Sequence, residues 1–225
     1  GLYGHLFIIG GDHGMPGAAR VAAEAGARVG SGLTSIATRS AHGPILNLAR
    51  PELMCYGVES ASELEELLRP ANALSVGPGL GQSEWAIALF QKAIETNLPM
   101  VVDADALNLL SKNPQHHDNW VLTPHPGEAA RLLGCSSEEI QAERFAAVYE
   151  LQRRYGGVVV LKGSGTLISN GEAPTRLSTW GNPGMGSGGM GDVLAGVIGG
   201  LLAQHFPIMD AACVGVTLHG MAADK

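Results

Sequence analysis

Five short apolar runs each end on residues that strands seldom contain, and this limits the possible fold more than any other feature. Leu6-Phe7-Ile8-Ile9 stops at Gly10-Gly11, and Ala73 to Val76 runs into Gly77-Pro78-Gly79-Leu80-Gly81. Met100-Val101-Val102 stops at Asp103, Trp120-Val121-Leu122 at Thr123-Pro124, and Val158 to Leu161 at Lys162-Gly163. Short apolar runs so bounded read as buried strands. Helical stretches alternate with them: Ala18 to Ala27, Ala61 to Leu68 with Leu64, Leu67 and Leu68 on one face, and Glu84 to Thr96. Strand alternating with helix requires a parallel or mostly parallel sheet covered on both faces. Ligands of such sheets bind at the C-terminal ends of the strands, where this chain places its glycines, acids and lysine.

Further along, Leu33 to Ala37 reads as a strand, and Ser136 with Glu139 as a capping box opening one long helix to about Tyr155. Leu167 to Ser169 and Thr175 to Ser178 form a hairpin about Asn170-Gly171. Helices then start near Gly189 and Met209. No low-complexity linker or repeat divides the chain, so residues 1–225 read as one α/β domain. The chain stops within a helical stretch, Met221-Ala222-Ala223-Asp224-Lys225, and lacks an initiator Met, so a C-terminally truncated fragment of a longer polypeptide is expected.

Composition excludes several classes. Charged residues make up 16%, below the ~25% of ordinary domains, so disorder is not the main state. The net charge is −7 with no Lys/Arg-rich block, which argues against a nucleic-acid partner. The longest apolar run, Val193 to Ala203, is too short to span a membrane, and no basic flank precedes the first one, so no signal peptide is read. Cys55, Cys135 and Cys213 are widely spaced and odd in number, which suits reduced thiols in the cytoplasm.

Six of the eleven residues from Gly181 to Gly191 are glycine, and an apolar helix follows at once. Glycines at a helix start let several free N–H groups converge on one anion, aided by the helix dipole. Asp192, in the first turn, is either a dipole-stabilised acid or a general base beside that anion hole. Gly186 to Gly191 also spells G-x-G-x-x-G, but no strand precedes it, so a dinucleotide fingerprint is not supported.

Gly189-Met190-Gly191-Asp192 opening an apolar helix resembles the signature of the ribokinase-like superfamily. The whole chain resembles, more narrowly, the ADP/ATP-dependent NAD(P)H-hydrate dehydratase family. Gly10-Gly11 with Gly14 to Ala19, Gly77 to Gly81, Asp103 to Asn108, Thr123-Pro124-His125-Pro126-Gly127-Glu128, Leu161-Lys162-Gly163 and Gly181 to Gly196 occur in the family's order. The resemblance implies a ribokinase-like three-layer sandwich with a mostly parallel central sheet. It implies dehydration of the S epimer of hydrated NADH or NADPH, by phosphorylation of the ring hydroxyl and loss of phosphate. Mg²⁺ would assist, with ADP, favoured over ATP, as phosphate donor. A homo-oligomer is also expected, as is fusion to an N-terminal NAD(P)H-hydrate epimerase domain in the longer polypeptide.

By the same resemblance Asp192 takes the hydroxyl proton, and the N–H groups of Gly188, Gly189, Met190 and Gly191 hold the phosphoryl group. Lys162, Gly163, Ser164, Gly165 and Thr166, with Gly191, bind the nucleotide, and Lys162 is expected to be removable with little change in fold. Gly77, Gly79, Asp103, Asn108, His125, Asn182 and Asp192 face the substrate, Asn108 from a short helix. Glu128 is a first-turn acid or an organiser of Mg²⁺ through water. Asp103 and Asp105 share a face if their strand continues, and two carboxylates so placed can hold Mg²⁺ or the waters around it; the reading favoured for Asp105 is instead the cap of a short helix from Ala106 to Leu110. Two competing functions are a superfamily kinase for a vitamin-precursor alcohol of hydroxyethylthiazole or hydroxymethylpyrimidine type, and a non-catalytic nucleotide-binding module.

Overall fold

A computed structural model describes residues 2–48, 50–172 and 174–225. The apolar runs form strands β1 (His5–Ile9), β2 (Leu33–Thr38), β3 (Met54–Gly57), β4 (Ala73–Val76), β5 (Met100–Val102), β6 (Trp120–Leu122) and β7 (Val158–Leu161). The hairpin follows as β8 (Thr166–Ser169) and β9 (Arg176–Ser178). They make one nine-stranded sheet in the order β3-β2-β1-β4-β5-β6-β7-β8-β9. Pairing is parallel from β3 through to β7, and β8 pairs antiparallel with both its neighbours.

Because successive strand side chains point to opposite faces, each strand feeds two cores. Phe7 and Ile9 of β1 join Leu74, Val76, Val102, Leu122 and Val159 on one face, under α3 (Ala61–Leu68), α4 (Glu84–Glu95), α5 (Ala104–Lys112), α6 (Pro126–Leu133) and α8 (Arg144–Tyr155). Leu6 and Ile8 join Ile36, Val101, Val121 and Val160 on the other, under α1 (Pro16–Arg28), α9 (Met190–Ala203) and α10 (Ile208–Ala223). The result is a helix–sheet–helix sandwich. The strand order reverses between β1 and β4, and backbone bonds from Gly11 N to Pro78 O at 3.0 Å and from Asp12 N to Gly79 O at 2.6 Å hold the loops that follow these two strands together.

Helix α9 is apolar nearly all round because it is wedged between α1, α10 and the sheet. Gly196 makes this approach possible: a Cβ there would stand 2.0 Å from the Ala22 carbonyl oxygen on α1.

Three local features differ from expectation. The helix expected to run from Ser136 to Tyr155 is two helices, α7 (Ser137–Ala142) and α8, separated at Glu143 (φ −131°, ψ 53°). The capping box forms as expected. The break lets the guanidinium of Arg144, first residue of α8, donate to the carbonyls of Leu161 and Gly165 at 3.2 and 2.9 Å, bracing the loop after β7. Strand β3 and the single turn α2 (Gly43–Leu46) were not expected; each is four residues long, too short to show a period. Among the described residues no helix is long and apolar enough to cross a membrane.

Candidate active site

The glycine-rich segment leaves β9 at the sheet edge and crosses to α9. Asn182 caps a short 3₁₀ turn (Pro183–Gly186), its Oδ1 accepting from Gly184 N at 2.9 Å. Its Nδ2 donates to Ala223 O at 2.7 Å and Asp224 Oδ1 at 3.0 Å, tying the loop to the end of α10. The chain enters α9 through Gly189, left-handed and without a side-chain cap. First-turn N–H groups of such a helix stay available to an anion. Of the expected anion-holding residues, Met190 and Gly191 line a cavity of about 780 Å³, while Gly188 and Gly189 are not in its lining. Its walls are Lys162 to Thr166, His125, the segment from Thr179 to Ser187, Met190 and Gly191, and an apolar side from Leu194 and Val216. Of the expected nucleotide-binding stretch, Thr166 already belongs to β8. Trp180 is half exposed in this wall.

Asp192 is outside that wall, half-buried in the first turn of α9. Burial, then the charge of Asp103, pushes its carboxyl up to about 6; Lys162 opposes and Asp105 adds to the rise. A carboxylate of this affinity is matched to taking a proton near neutral pH.

Lys162 is not a free cation. Its Nζ is 2.8 Å from Asp103 Oδ1 and 3.7 Å from Glu128 Oε2. Burial opposes the ammonium, but Asp103, Glu128 and Asp192 together hold its affinity for the proton above the ordinary value. Asp103 also accepts from Thr123 Oγ1 at 2.8 Å. The ends of β5, β6 and β7 thus contribute an acid, a hydroxyl and a cation to one buried cluster, adjoining Gly191. Burial raises the Glu128 carboxyl, with Asp103 adding and Lys162 opposing.

The two aspartates do not share a face. The strand stops at Val102, and Ala104 adopts φ +48°, which turns the chain between them. Asp103 points to Lys162, while Asp105 accepts from Gly81 N at 2.9 Å. Asp105 therefore lies inside the first turn of α5 and is not its cap. Asn108 does not line the cavity: it is joined to Asp105 and to Arg131 Nε at 3.4 and 2.9 Å. Gly77 and Gly79 bring backbone close to other backbone, since Cβ atoms there would lie 1.8 Å from Asp103 O and 2.5 Å from Met15 O.

His125 is half exposed, in the cavity wall. It is the N-cap of α6: Nδ1 accepts from the N–H of Gly127 and Glu128, and Glu128 Oε2 accepts from His125 N at 2.7 Å. Glu128 is thus both the first-turn acid and a partner of Lys162. Sequence reading missed three features. One is His219 on α10, in the cavity wall with its Nε2 buried and unpartnered among the described residues. Another is the Arg144 brace. The third is Asp12, which takes bonds from Arg39 Nε at 2.7 Å and Ser83 Oγ at 2.9 Å and so joins the loops after β1, β2 and β4. No local sequence signal marks any of them.

Among the described residues no three acids, histidines or cysteines are grouped to cage a metal ion. Mg²⁺ is ordinarily held by phosphate oxygens, water and one or two carboxylates. Glu128 and Asp103, buried and joined through Lys162, fit that outer role.

The model of the NAD(P)H-hydrate dehydratase family matches residues 6–225. The chain is 55% identical over 225 residues to the bifunctional NAD(P)H-hydrate repair enzyme Nnr of Coxiella burnetii, covering 100% of this chain and 46% of that protein. It is 40% identical to the ADP-dependent (S)-NAD(P)H-hydrate dehydratase of Neisseria meningitidis, covering 100% of this chain and 77% of that one. Among solved structures, the ADP/ATP-dependent NAD(P)H-hydrate dehydratase of Bacillus subtilis, co-crystallised with ATP/Mg²⁺ and soaked with CoA, superposes with a TM-score of 0.86. It is 30% identical and covers 99% of this chain and 83% of that one. The chain spans about half the length of the bifunctional relatives it matches. The ribokinase-like fold expected from the glycine signature is the one observed, and the chain belongs to the NAD(P)H-hydrate dehydratase family.

Proposed function

We propose that residues 1–225 act as one domain that removes water from the S form of hydrated NADH or NADPH, using ADP, or ATP, as phosphate donor. The observation that carries this reading is Asp192: a carboxylate raised to about 6 in the first turn of a glycine-entered helix, beside a cavity able to hold a nucleotide. The nucleotide lies in the cavity against Lys162 to Thr166 and Trp180, its terminal phosphate at the N–H groups of Gly188 to Gly191. The substrate's ring approaches Asp192 from the other side, near Asp103 and His125. Asp192 takes the hydroxyl proton, and the hydroxyl oxygen bonds to the terminal phosphorus as the nucleotide's bridging bond breaks. Phosphate then leaves with the C–O electron pair, and a proton is lost from the neighbouring carbon as the ring double bond returns. Hydroxide is a poor leaving group near neutral pH and phosphate a good one, so phosphorylation serves the dehydration. Mg²⁺, organised through water by Glu128, would neutralise phosphate charge.

Gly77, Gly79 and Asn108 act on the substrate only by shaping loops, and Asn182 by holding the glycine-rich loop. Assembly as a homo-oligomer, work in the cytoplasm and fusion to an epimerase domain belong to the same proposal. The test supplies hydrated NADH, Mg²⁺ and either ADP or ATP, and follows the return of reduced-nicotinamide absorbance. Nucleotide-dependent return supports the reading; accumulation of a stable phosphorylated alcohol would instead identify a kinase.

A further inference from the structure

The backbone fixes which nitrogen of His125 carries hydrogen. Nδ1 accepts from Gly127 N at 3.0 Å and from Glu128 N at 3.4 Å. A nitrogen that accepts these bonds cannot itself hold a proton, so the neutral ring carries its hydrogen on Nε2. Burial and the charges of Lys162 and Arg131 further disfavour the doubly protonated ring. The Nε2–H has no acceptor at bonding distance among the described residues; Glu128 Oε1 is 3.6 Å away. Half of the side chain is exposed, in the cavity wall that also contains Lys162 and Gly191. The structure therefore presents a fixed, uncharged and unused donor in a wall of the same cavity as Lys162 and Gly191.

Resting on the dehydratase reading, we propose that His125 is a catalytic hydrogen-bond donor, its Nε2–H meeting the phosphate oxygen as phosphate departs from the ring. When the C–O bond breaks, its electron pair moves onto that oxygen, and negative charge grows there. A donor already aimed at growing charge stabilises the transition state more than the ground state. The same tautomer excludes His125 as the base, because its lone pair is occupied by the α6 cap. The departing phosphate itself takes the ring proton, the C–H pair becomes the double bond, and hydrogen phosphate is released.

Three variants separate the cap from the donor. His125→Ser keeps a capping oxygen and removes the donor, His125→Asn keeps the cap and adds an amide N–H, and His125→Ala removes both. A lost cap lowers Tm by about 2–4 °C in a chain of this size, so only the alanine variant should melt early. The serine variant should lose about 10²-fold in kcat with nucleotide Kd unchanged, and asparagine should recover part of it. Serine turnover at the wild-type rate, or no recovery by asparagine, overturns the proposal. On the wild-type protein alone, ¹⁵N NMR should show Nε2 protonated and Nδ1 bare, and inorganic phosphate should shift the Nε2–H resonance. The opposite tautomer, or no shift at saturating phosphate, also overturns it. Absence of NADH recovery by the wild type, with that shift present, would overturn the dehydratase reading and with it the leaving-group role, leaving His125 as a phosphate-binding donor only.

Discussion

Replacing Lys162 with methionine is expected to destabilise the fold strongly, and more so as pH rises. The ammonium lies 2.8 Å from Asp103 and 3.7 Å from Glu128, whose side chains are only 2% and 6% exposed. Methionine keeps most of the volume, so packing changes little. What it leaves is two buried carboxylates without their cation, one bonded to Thr123 and the other to the His125 N–H. Breaking a buried pair from one side costs about 3–5 kcal/mol. In a chain of this length that is a Tm lower by about 6–20 °C. This reverses the expectation that Lys162 can be removed with little effect on the fold.

The pH dependence has a definite sign. Burial, with Asp103, already raises Glu128 in the folded state, and the lysine opposes that rise. Without the lysine, Glu128 keeps its proton in the folded chain to still higher pH, while the unfolded chain releases it near the ordinary carboxylate value. The folded state then binds more protons across that window, so stability falls as pH rises through it. Urea and thermal unfolding near pH 5 and near pH 8 measure the effect, with the deficit larger at the higher pH. Adding Asp103→Asn should recover part of the loss. A deficit below about 1 kcal/mol, the scale of a surface pair, or one equal at both pH values, would refute the buried-cluster reasoning.

Asp192→Asn should lower turnover by about 10²–10⁴ while calorimetry finds ADP binding unchanged; wild-type turnover would remove Asp192 from the mechanism. The acid limb of kcat/KM should have its midpoint at about 6, with activity lost below it as Asp192 protonates. Because Asp103 raises Asp192, Asp103→Asn should move that limb to lower pH, and an unmoved limb would sink this assignment. Gly196→Val must separate α1 from α9, since even its Cβ would meet Ala22 O at 2.0 Å; a stability loss of about 1–3 kcal/mol or more is expected by chemical denaturation. Trp180→Ala should raise the ADP Kd by about tenfold through lost aromatic contact, measured by calorimetry with melting unchanged.

The sequence alone made most of the strands visible, though not β3, and pointed to the strand ends as the ligand-binding edge. A buried parallel strand must be apolar on both faces, so Leu6–Ile9 and Val158–Leu161 are visible as runs, and the residues that stop them mark the ligand-binding edge. The glycine entry to α9 with Asp192 in its first turn was legible for a related reason: the glycines, the carboxyl and the apolar helix are neighbours along the chain, so one short window contains them all. Only the tertiary structure decided what those groups touch. Lys162 and Asp103 are 59 positions apart, and no spacing rule relates groups that meet because β5 and β7 lie on either side of β6. The parting of Asp103 from Asp105 depends on one positive φ at Ala104, which the sequence does not announce. The partner of Asn108 was likewise out of reach of the sequence, because what a short helix meets is set by its neighbours, here Arg131 on α6. Local order follows from the polarity pattern of the chain; ion pairing and proton affinity follow from burial and distance, which exist only after the layers have packed.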